Sequence, residues 1–300
     1  MPSASQSVNS EQIPVCENSE NRIEQTLKHI FAQQQIETFK CELIIVDNNS
    51  TDNTIAVSEV FIKSNKNSNI KAKIVLEKRL GLSNARKTGV VNSQYDIIMF
   101  CDDDNWFNNL YIFNSYCFLR ENNDYAIVGG NGIERCEIKP PKWFNRYKSI
   151  YALGCRKNGD VSNVYGAGMA VRKKLIYNFE SKMSDRVGKS LISGGDSEIC
   201  LSMINRGYKI RQLCNNKFYH FIPKERLTKH YLMRMASGRG ASKAMLMLVK
   251  YNNNKSKTGL GYRLKIDVND IIKVILKFNW IDIEFTFRRI LNYWKIMLIQ

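Results

Sequence analysis

The sequence has 300 residues, of which 44% are hydrophobic, and a formal net charge of +17. A chain of this size and composition can bury a substantial core, which excludes a disordered or fibrous protein. No stretch reaches the 18 or so uninterrupted apolar residues of a membrane-spanning helix. Residues 1–140 contain 14 Lys and Arg against 18 Asp and Glu, whereas residues 141–300 contain 31 against 10. The basic charge therefore belongs to the second half.

Helical and strand-like segments alternate through the first half. Apolar residues at helical spacing predict a helix over residues 21–34, and short apolar runs predict the strands that follow. These strands are expected near residues 42–47, 71–76, 96–101 and 125–129, with helices between them. Such alternation indicates a parallel sheet with helical crossovers. A further strand is expected at 168–171, and residues from about 226 onward are expected to be mainly helical.

The strand at 42–47 ends in Asp47 and is followed by a polar turn that contains Asp52. Open α/β sheets bind their ligands at the carboxyl ends of the strands. Asp47 would there accept hydrogen bonds from a ribose or a base edge. Asp52 also suits the N-cap of the next helix, and the two roles are compatible.

The strand at 96–101 is followed by three consecutive carboxylates, Asp102, Asp103 and Asp104. Carboxylates packed so closely repel one another unless a cation shares them. The triplet therefore predicts a site for a divalent metal ion. The alternative is a solvated acidic turn in which Asp104 or Asn105 caps the next helix.

Two glycine motifs precede further candidate residues. The segment GLS at 81–83 opens a helix that carries Arg86, and a guanidinium beside a helix N-terminus is a natural neighbour for a pyrophosphate. The alternative is an ordinary turn with Arg86 in solvent. The segment GG at 194–195 precedes Asp196 and Glu198, which would also suit an N-cap and the first turn of a helix.

Four segments in this order resemble the motif set of family 2 glycosyltransferases. They are VDNNSTDNT at 46–54, GLSNARKTG at 81–89, DDD at 102–104 and GGDSE at 194–198. The resemblance covers about residues 13–240. It implies a GT-A fold, which is a Rossmann-like α/β fold with a mostly parallel sheet flanked by helices, here with a helical C-terminal extension. It also implies a nucleotide-diphosphosugar donor, a divalent metal (Mn²⁺ or Mg²⁺) and an inverting displacement.

The resemblance also implies roles for single residues. It makes Asp196 the general base that takes a proton from the acceptor hydroxyl, since inversion requires a base opposite the leaving nucleotide. It places the metal at Asp102 and Asp104. In similar enzymes a histidine at the place of His220 can approach the metal or the diphosphate, although a lone histidine among aromatic residues also suits a hydrogen-bonded core. The residues expected to bind the donor are Asp47, Asp52, Arg86 and Asp103.

The acceptor side is expected near Trp143 and Phe144, with Glu198 as a further contact. Exposed aromatic rings stack well on sugar rings. A Pro-Pro-x-Trp loop can equally fold its tryptophan onto the domain. The two readings stay open at this stage.

The motifs divide the chain into three parts. We expect residues 1–12 to form a polar, disordered N-terminus and residues 13–225 to form the GT-A domain, with its donor half up to about 132 and its acceptor half after it. Residues 226–300 are expected to form a basic, mainly helical extension. Family members begin with a strongly apolar first strand, whereas residues 8–17 are polar before Ile13 and have low strand propensity. We therefore expect a weak first strand and an altered N-terminal edge of the donor site.

Cysteine spacing and charge bear on location. The eight cysteines include no Cys-x-x-Cys pair and no zinc-site spacing, so we expect reduced thiols in a cytoplasmic protein. The basic half has no nucleic-acid signature and favours an anionic membrane face or anionic substrates. Residues 271–278 and 287–298 mix apolar with basic residues, as interfacial amphipathic helices do, although helices packed on the catalytic domain look similar.

The sequence thus predicts an inverting, metal-assisted glycosyltransferase of polysaccharide biosynthesis. Its acceptor would be a hydroxyl of a glycan or of a lipid-linked glycan, at a cytoplasmic or peripheral membrane location. One alternative is a catalytically silent module that binds a nucleotide sugar. The other is a sugar-phosphate nucleotidyltransferase, although the Gly-rich loop that follows the first strand of such enzymes has no counterpart at 14–18.

Overall fold

The structure is a computed structural model in which the chain forms two compact units. One unit comprises Met1–Glu180 with Ile199–Ile222, and the other Ser181–Glu198 with Pro223–Gln300. The first unit is α/β, and the described part of the second is mainly helical. The residues that the structure describes are 10–65, 70–182, 191, 193–254, 267 and 280–299.

The first unit alternates strands and helices, as the apolar periodicity predicts. Its strands are β1 (Ser10–Cys16), β2 (Cys41–Asp47), β3 (Ile70–Leu76), β4 (Ile97–Asp102), β5 (Asn105–Phe107), β6 (Tyr125–Cys136), β7 (Gly159–Asp160), β8 (Ala170–Arg172) and β9 (Lys209–Ile222). Its helices are α1 (Ile23–Phe31), α2 (Thr54–Ser64), α3 (Leu82–Asn92), α4 (Tyr111–Glu121), α5 (Phe144–Tyr147) and α6 (Lys173–Ile176). Helix α7 (Gly195–Asn205) begins in the second unit and ends in the first. The predicted α/β fold class is confirmed.

The strands form one sheet in the order β3-β2-β1-β4-β8-β6-β9-β5, with β7 paired to β9. Strands β1 to β4 are parallel to one another, as the helical crossovers between them require. β6 and β9 are also parallel. β5, β7 and β8 run antiparallel to their neighbours, so the sheet is mixed beyond β4.

Strand β1 forms in the middle of the parallel part despite its polar sequence. Gln12 lies in register with Leu43 of β2 and with Met99 of β4, and Ile13 is fully buried. Strands on both sides thus supply the pairing and burial that the segment's own propensity does not favour. The expectation of a weak first strand is wrong, and residues 10–12 belong to the sheet. The rest of the expected disordered N-terminus, residues 1–9, lies outside the described residues.

Two clusters of buried apolar side chains cover the two faces of the sheet. Successive residues of β2 alternate between them, because strand side chains point to opposite faces in turn. Leu43 belongs to the cluster formed with α1 and α4, and Ile44 to the cluster formed with α3, α6 and the end of α7. Each face of β2 is therefore covered, which explains its continuous apolar sequence.

Gln12 is a buried amide in an apolar environment. Its register partners Leu43 and Met99 both belong to the cluster beside α1. Among the described residues, neither of its side-chain amide atoms has a hydrogen-bond partner. An unsatisfied buried amide costs about 1–3 kcal/mol, so we expect Gln12→Met, which keeps the side-chain length, to raise the free energy of unfolding by about that amount. Urea unfolding followed by circular dichroism measures the change.

Gln33 provides the matched control because its buried amide is satisfied. Its Nε2 donates to the carbonyl oxygen of Asn108 at 2.8 Å, and its Oε1 accepts from the backbone N–H of Ile112 at 3.0 Å. Gln33→Met should therefore lower the free energy of unfolding by about 1–3 kcal/mol. Equal losses in the two variants would contradict the account of Gln12.

The second unit contains two long helices that pack on each other, α8 (Lys229–Asn254) and α9 (Trp280–Ile299). At Gly240 the helices are so close that a Cβ atom would overlap the backbone oxygen of Arg289. A glycine here lets the two backbones approach directly. The predicted amphipathic segment 287–298 lies in α9, and the other, 271–278, lies outside the described residues.

We expect Gly240→Ala to destabilise the second unit. Helix propensity alone favours alanine by about 1 kcal/mol. Overpacking costs about 1–3 kcal/mol. Because the backbone oxygen of Arg289 can move only with its helix, this cost should exceed the gain in helix propensity. Thermal unfolding should show a lower midpoint for Gly240→Ala and an unchanged one for Ser237→Ala on the same helix. An unchanged midpoint in both variants would contradict the close helix contact.

A disulfide joins Cys155 to Cys214, with the two Cα atoms 5.4 Å apart. The expectation of reduced cysteines throughout is wrong for this pair. The bond links the loop that follows Tyr151 to β9. The free thiols in the described residues are those of Cys16, Cys41, Cys101, Cys117, Cys136 and Cys200.

No helix among the described residues is both long and apolar enough to cross a bilayer.

Candidate active site

Two of the predicted site residues end neighbouring parts of the parallel sheet. Asp47 is the last residue of β2 and Asp102 the last of β4, and β1 lies between these strands. Cys16 of β1 is in register with Asp47, and Val15 is in register with Asp102. The two carboxylates therefore share one edge of the sheet, where open α/β sheets bind their ligands.

Asp104 and His220 meet at the same edge, although 116 positions separate them in the sequence. His220 Nε2 lies 3.4 Å from Asp104 Oδ2, and both side chains are about nine-tenths buried or more. The antiparallel pairing of β5 with β9 places Asn105 opposite His220 and so brings these residues together. The backbone N–H of Phe221 also donates to the carbonyl oxygen of Asp104 at 2.8 Å.

Each member of this pair is oriented by a further group. Asn105 Nδ2 donates to Asp104 Oδ1 at 2.9 Å, while Asn105 Oδ1 accepts from the backbone N–H of Asp102 at 3.2 Å. His220 Nδ1 lies 2.6 Å from the carbonyl oxygen of Tyr151. Because a carbonyl oxygen only accepts, Nδ1 carries a proton. A neutral ring would direct the lone pair of Nε2 towards Asp104, whereas a doubly protonated ring would donate a hydrogen bond to it.

Arg86 and Asp102 form a second contact. Arg86 Nη2 lies 3.5 Å from Asp102 Oδ1, and the guanidinium lies 5.0 Å from the centre of the Phe100 ring. A Cβ atom at Gly166 would lie 2.7 Å from Arg86 Nη2, so the glycine makes room for the guanidinium. Arg86 is thus a buried cation on helix α3 with one loose carboxylate contact, rather than a solvated side chain.

Asp103 anchors the start of α1. Its carboxylate accepts hydrogen bonds from Arg22 Nη2 at 2.6 Å and from the hydroxyl of Ser19. Its carbonyl oxygen accepts from the hydroxyl of Thr26 at 2.7 Å. Burial, and after it the neighbouring Asp104 carboxylate, raises the pKa of Asp103, and Arg22 opposes that rise. Asp103 therefore has a structural role, and its donor contact stays a prediction.

Asp47 and Asp52 shape the loop after β2. Asp47 is fully buried and its carboxylate lies 3.3 Å from the backbone N–H of Ser50. Asp52 accepts from the backbone N–H of Thr54 at 3.0 Å and of Glu20 at 3.1 Å. Burial raises the pKa of Asp52, but the hydrogen bonds from Thr54 and Glu20 outweigh it and hold the pKa below its ordinary value. Helix α2 begins at Thr54 with Asn53 at its N-cap position, so the N-cap predicted at Asp52 lies one residue later, and Asp52 accepts from the first N–H of the helix.

Trp143 and Phe144 differ in exposure. Trp143 is half-buried, with its ring centroid 6.4 Å from that of Tyr147. Phe144 is fully buried and its ring centroid lies 5.1 Å from that of Tyr151. This burial corrects the expectation that Phe144 offers a face to a sugar, since its ring packs in the interior.

Comparison with known proteins decides the family. The model of glycosyl transferase family 2 matches residues 13–179, which is more than half of the chain. The chain belongs to glycosyltransferase family 2. The enzyme class predicted from the four motifs is thereby confirmed. Among curated proteins, none matches this family 2 sequence.

Solved glycosyltransferases share the fold. Mannosyltransferase PcManGT from Pyrobaculum calidifontis, in complex with GDP-Man and Mn²⁺, is 15% identical with a TM-score of 0.65, over 97% of this chain and 88% of that one. S. aureus TarS 1-349 is 12% identical with a TM-score of 0.52, over 97% and 92%. GalNAc-T7 with UDP, GalNAc and Mn²⁺ is 11% identical with a TM-score of 0.56, over 81% and 52%. These likenesses confirm the GT-A fold of this family 2 enzyme.

The residues present fit a divalent metal ion at Asp104 and His220. His220 Nε2 and Asp104 Oδ2 are buried and lie 3.4 Å apart. Two acceptor atoms at this distance repel each other, unless the imidazole is doubly protonated or a cation binds both atoms. The orienting contacts from Asn105 and from the Tyr151 carbonyl are those that support metal ligands. No three His, Cys, Asp or Glu side chains of the described residues converge. Nucleotide-binding sites commonly hold Mg²⁺ with one or two carboxylates plus substrate phosphates.

Asp196 and Glu198 lie at the start of α7, in the second unit. Asp196 Oδ1 accepts from the backbone N–H of Ser197 at 2.8 Å. Glu198 is buried and accepts from the hydroxyl of Ser181 at 2.6 Å and from the backbone N–H of Lys182 at 2.9 Å. Glu198 thus anchors the 181–182 segment, and its role as an acceptor contact stays a prediction.

Sequence reasoning missed the groups that orient this glycosyltransferase site. The sequence suggests Asn105 only as a helix cap, whereas its side-chain amide links Asp102 to Asp104. The Tyr151 carbonyl and Gly166 carry no local signal, because their roles depend on where distant segments fold. Ser19 and Arg22 follow β1 and could be identified only once that strand was placed between β2 and β4.

Proposed function

We propose that this glycosyltransferase is inverting and metal-assisted, and that its donor is a nucleotide-diphosphosugar. The observation that carries the proposal is the buried pair of Asp104 and His220, whose Oδ2 and Nε2 atoms lie 3.4 Å apart at the carboxyl edge of the sheet. Family membership gives the reaction class, and this pair supports the proposal that a diphosphate and its cation bind at this edge. GDP-Man and UDP occur with Mn²⁺ in structures of the same fold, which supports this donor class.

The donor site is assigned to residues of the first unit. Asp47 suits the base or ribose, since a buried carboxylate at a strand end accepts hydrogen bonds from their donors. Arg86 suits the diphosphate, because its guanidinium is buried and its carboxylate contact is long at 3.5 Å. Asp52 supports the loop between them, and Asp102 is a third candidate metal ligand, which is turned to Arg86 here.

The metal would be held by Asp104 and His220. A bound Mn²⁺ or Mg²⁺ supplies positive charge that stabilises a departing diphosphate. The chain's own contribution is to orient the ligands through Asn105 and Tyr151 and to exclude water, since both ligand side chains are buried. Arg86 adds a second positive charge for the leaving group.

Asp196 is proposed as the general base. The acceptor hydroxyl oxygen forms a bond to the anomeric carbon while the bond from that carbon to the diphosphate oxygen breaks, and Asp196 takes the hydroxyl proton. Attack opposite the leaving group inverts the anomeric centre. The proposed acceptor is a glycan or a lipid-linked glycan of polysaccharide biosynthesis, at the cytoplasmic face of a membrane, with Trp143 as a candidate contact to its sugar ring.

Turnover distinguishes this function from its alternatives. Purified protein is incubated with Mn²⁺, a nucleotide sugar and glycan acceptors, and release of the nucleoside diphosphate is followed together with the anomeric signal of the product by NMR. Transfer with inversion is expected. Transfer with retention would refute the proposed mechanism. Donor binding without transfer would indicate a catalytically silent module. Release of pyrophosphate from a nucleoside triphosphate and a sugar phosphate would indicate a nucleotidyltransferase.

A further inference from the structure

Helix α9 carries a row of large apolar side chains on its exposed face. Trp280, Phe287, Leu291 and Leu298 are 83%, 59%, 55% and 78% exposed, respectively. Their spacings of seven, four and seven residues place all four within about 20° of one line along the helix, over about 27 Å. We refer to these four residues as the α9 stripe.

The buried face of α9 is a different one. Thr286, Ile290 and Tyr293 are 9%, 9% and 2% exposed and lie about 120°, 80° and 140° round the helix from the stripe, on the flank away from Arg288. Packing within the second unit therefore accounts for one side of α9 but not for the stripe. Single exposed apolar residues are common on protein surfaces, whereas an aligned set that includes two aromatic rings indicates a contact surface.

Basic side chains flank the stripe. A cleft of about 160 Å³ between α8 and α9 is lined by Lys229, His230, Met233, Arg234, Glu284 and Arg288. Glu284 and Arg288 lie about 40° and 80° round the helix from Trp280, so the cleft adjoins the stripe. Lys295 is exposed on the same flank. The sequence of helix α8 contains five Lys and Arg, of which Lys229 and Arg234 line the cleft, and no Asp or Glu.

We propose that the α9 stripe and the adjoining basic cleft form a docking surface for an anionic membrane. The apolar row would enter the boundary between headgroups and acyl chains, and the cleft would receive lipid phosphates. Tryptophan at the first position of the row suits the interfacial region. A second copy of the chain fits less well, because a symmetric contact along α9 would bring the same basic flanks together. The proposal rests on the membrane location in the proposed function and gives it a surface, and vesicle binding can fail while sugar transfer is intact.

Vesicle co-sedimentation of the full-length protein tests the surface. We expect binding to vesicles of phosphatidylglycerol and phosphatidylcholine in equal amounts, little binding to pure phosphatidylcholine, and weakening by salt. Phe287→Ser with Leu291→Ser should lower the partition coefficient by about tenfold or more, since two interfacial anchors are lost. Val60→Ser with Val91→Ser is the matched control, because these residues are 64% and 50% exposed in the first unit.

The basic cleft has its own pair of variants. The double variant Lys229→Gln with Arg288→Gln should bind the anionic vesicles more weakly. The control variant Lys28→Gln with Lys63→Gln removes two exposed cations of the first unit, and its binding should be unchanged. Thermal unfolding of each variant checks that it is folded. Unchanged binding of the stripe variant, or equal binding to uncharged vesicles, would overturn the proposal. The proposal would also be overturned if the wild-type protein does not bind vesicles but forms a dimer in sedimentation equilibrium, and the stripe variant does not form that dimer.

Discussion

Asp196→Asn is expected to retain donor binding and to lower kcat by about 10²- to 10⁴-fold, the usual contribution of a general base. Asparagine is nearly isosteric, and its side-chain oxygen can still accept from the Ser197 N–H that lies 2.8 Å from Asp196 Oδ1. It cannot take a proton from an acceptor hydroxyl. Transfer kinetics at saturating donor, with donor affinity measured by calorimetry, separate the two effects.

Glu24→Gln is the control for Asp196→Asn. Glu24 is also a first-turn carboxylate, exposed and paired with Lys28 on α1, and removing such a charge costs about 0.3–1 kcal/mol of stability. We expect full transfer activity in this variant. Transfer by Asp196→Asn at the wild-type rate would show that another group takes the proton, and loss of donor binding would show that Asp196 acts on the donor.

Asp104→Asn is expected to abolish the effect of Mn²⁺ on donor binding and to lower kcat/KM by at least about 100-fold. Removing a group that only orients a metal ligand lowers metal affinity or activity by about 10- to 100-fold. Removing a direct ligand should therefore lower it further. The hydrogen bond from Asn105 can persist because the asparagine oxygen still accepts. Chelation of the metal in the wild type should reproduce the loss.

Stability distinguishes a metal ligand from a structural carboxylate. The charge on Asp104 repels that on the adjacent Asp103, so its removal should leave the metal-free variant at least as stable as the metal-free wild type. Asp124→Asn removes an exposed carboxylate paired with Lys209 and should leave activity and the Mn²⁺ effect intact. A variant of Asp104 that unfolds at a lower temperature yet keeps its response to Mn²⁺ would refute the assignment.

Local sequence predicted the parts of the fold that depend on local periodicity. The alternation of strands and helices, and the carboxylates at the ends of β2 and β4, follow from apolar runs bounded by polar turns. Strand β1 escaped this reasoning, because pairing with β2 and β4 buries even Gln12. Where neighbours on both sides supply the environment, tertiary context overrides propensity.

The remaining differences between the sequence-based predictions and the structure concern contacts between segments that are distant in the sequence. The pairing of Asn105 with His220 depends on the β5–β9 register, and 59 residues separate Cys155 from Cys214. Phe144 and its neighbour Trp143 have similar hydrophobicity, yet only Phe144 is fully buried. Sequence periodicity contains no information on such pairings, so these residues could be proposed but not placed.

The most direct test of a metal-assisted donor site is the thermal unfolding midpoint of the wild-type protein with GDP, UDP and their sugars, each with and without Mn²⁺. A ligand that binds the folded state raises this midpoint. We expect a nucleoside diphosphate to raise the midpoint only when Mn²⁺ is present, and Asp104→Asn to lose that rise. A rise that is equal without metal, or no rise with any of these nucleotides, would contradict the donor site described here.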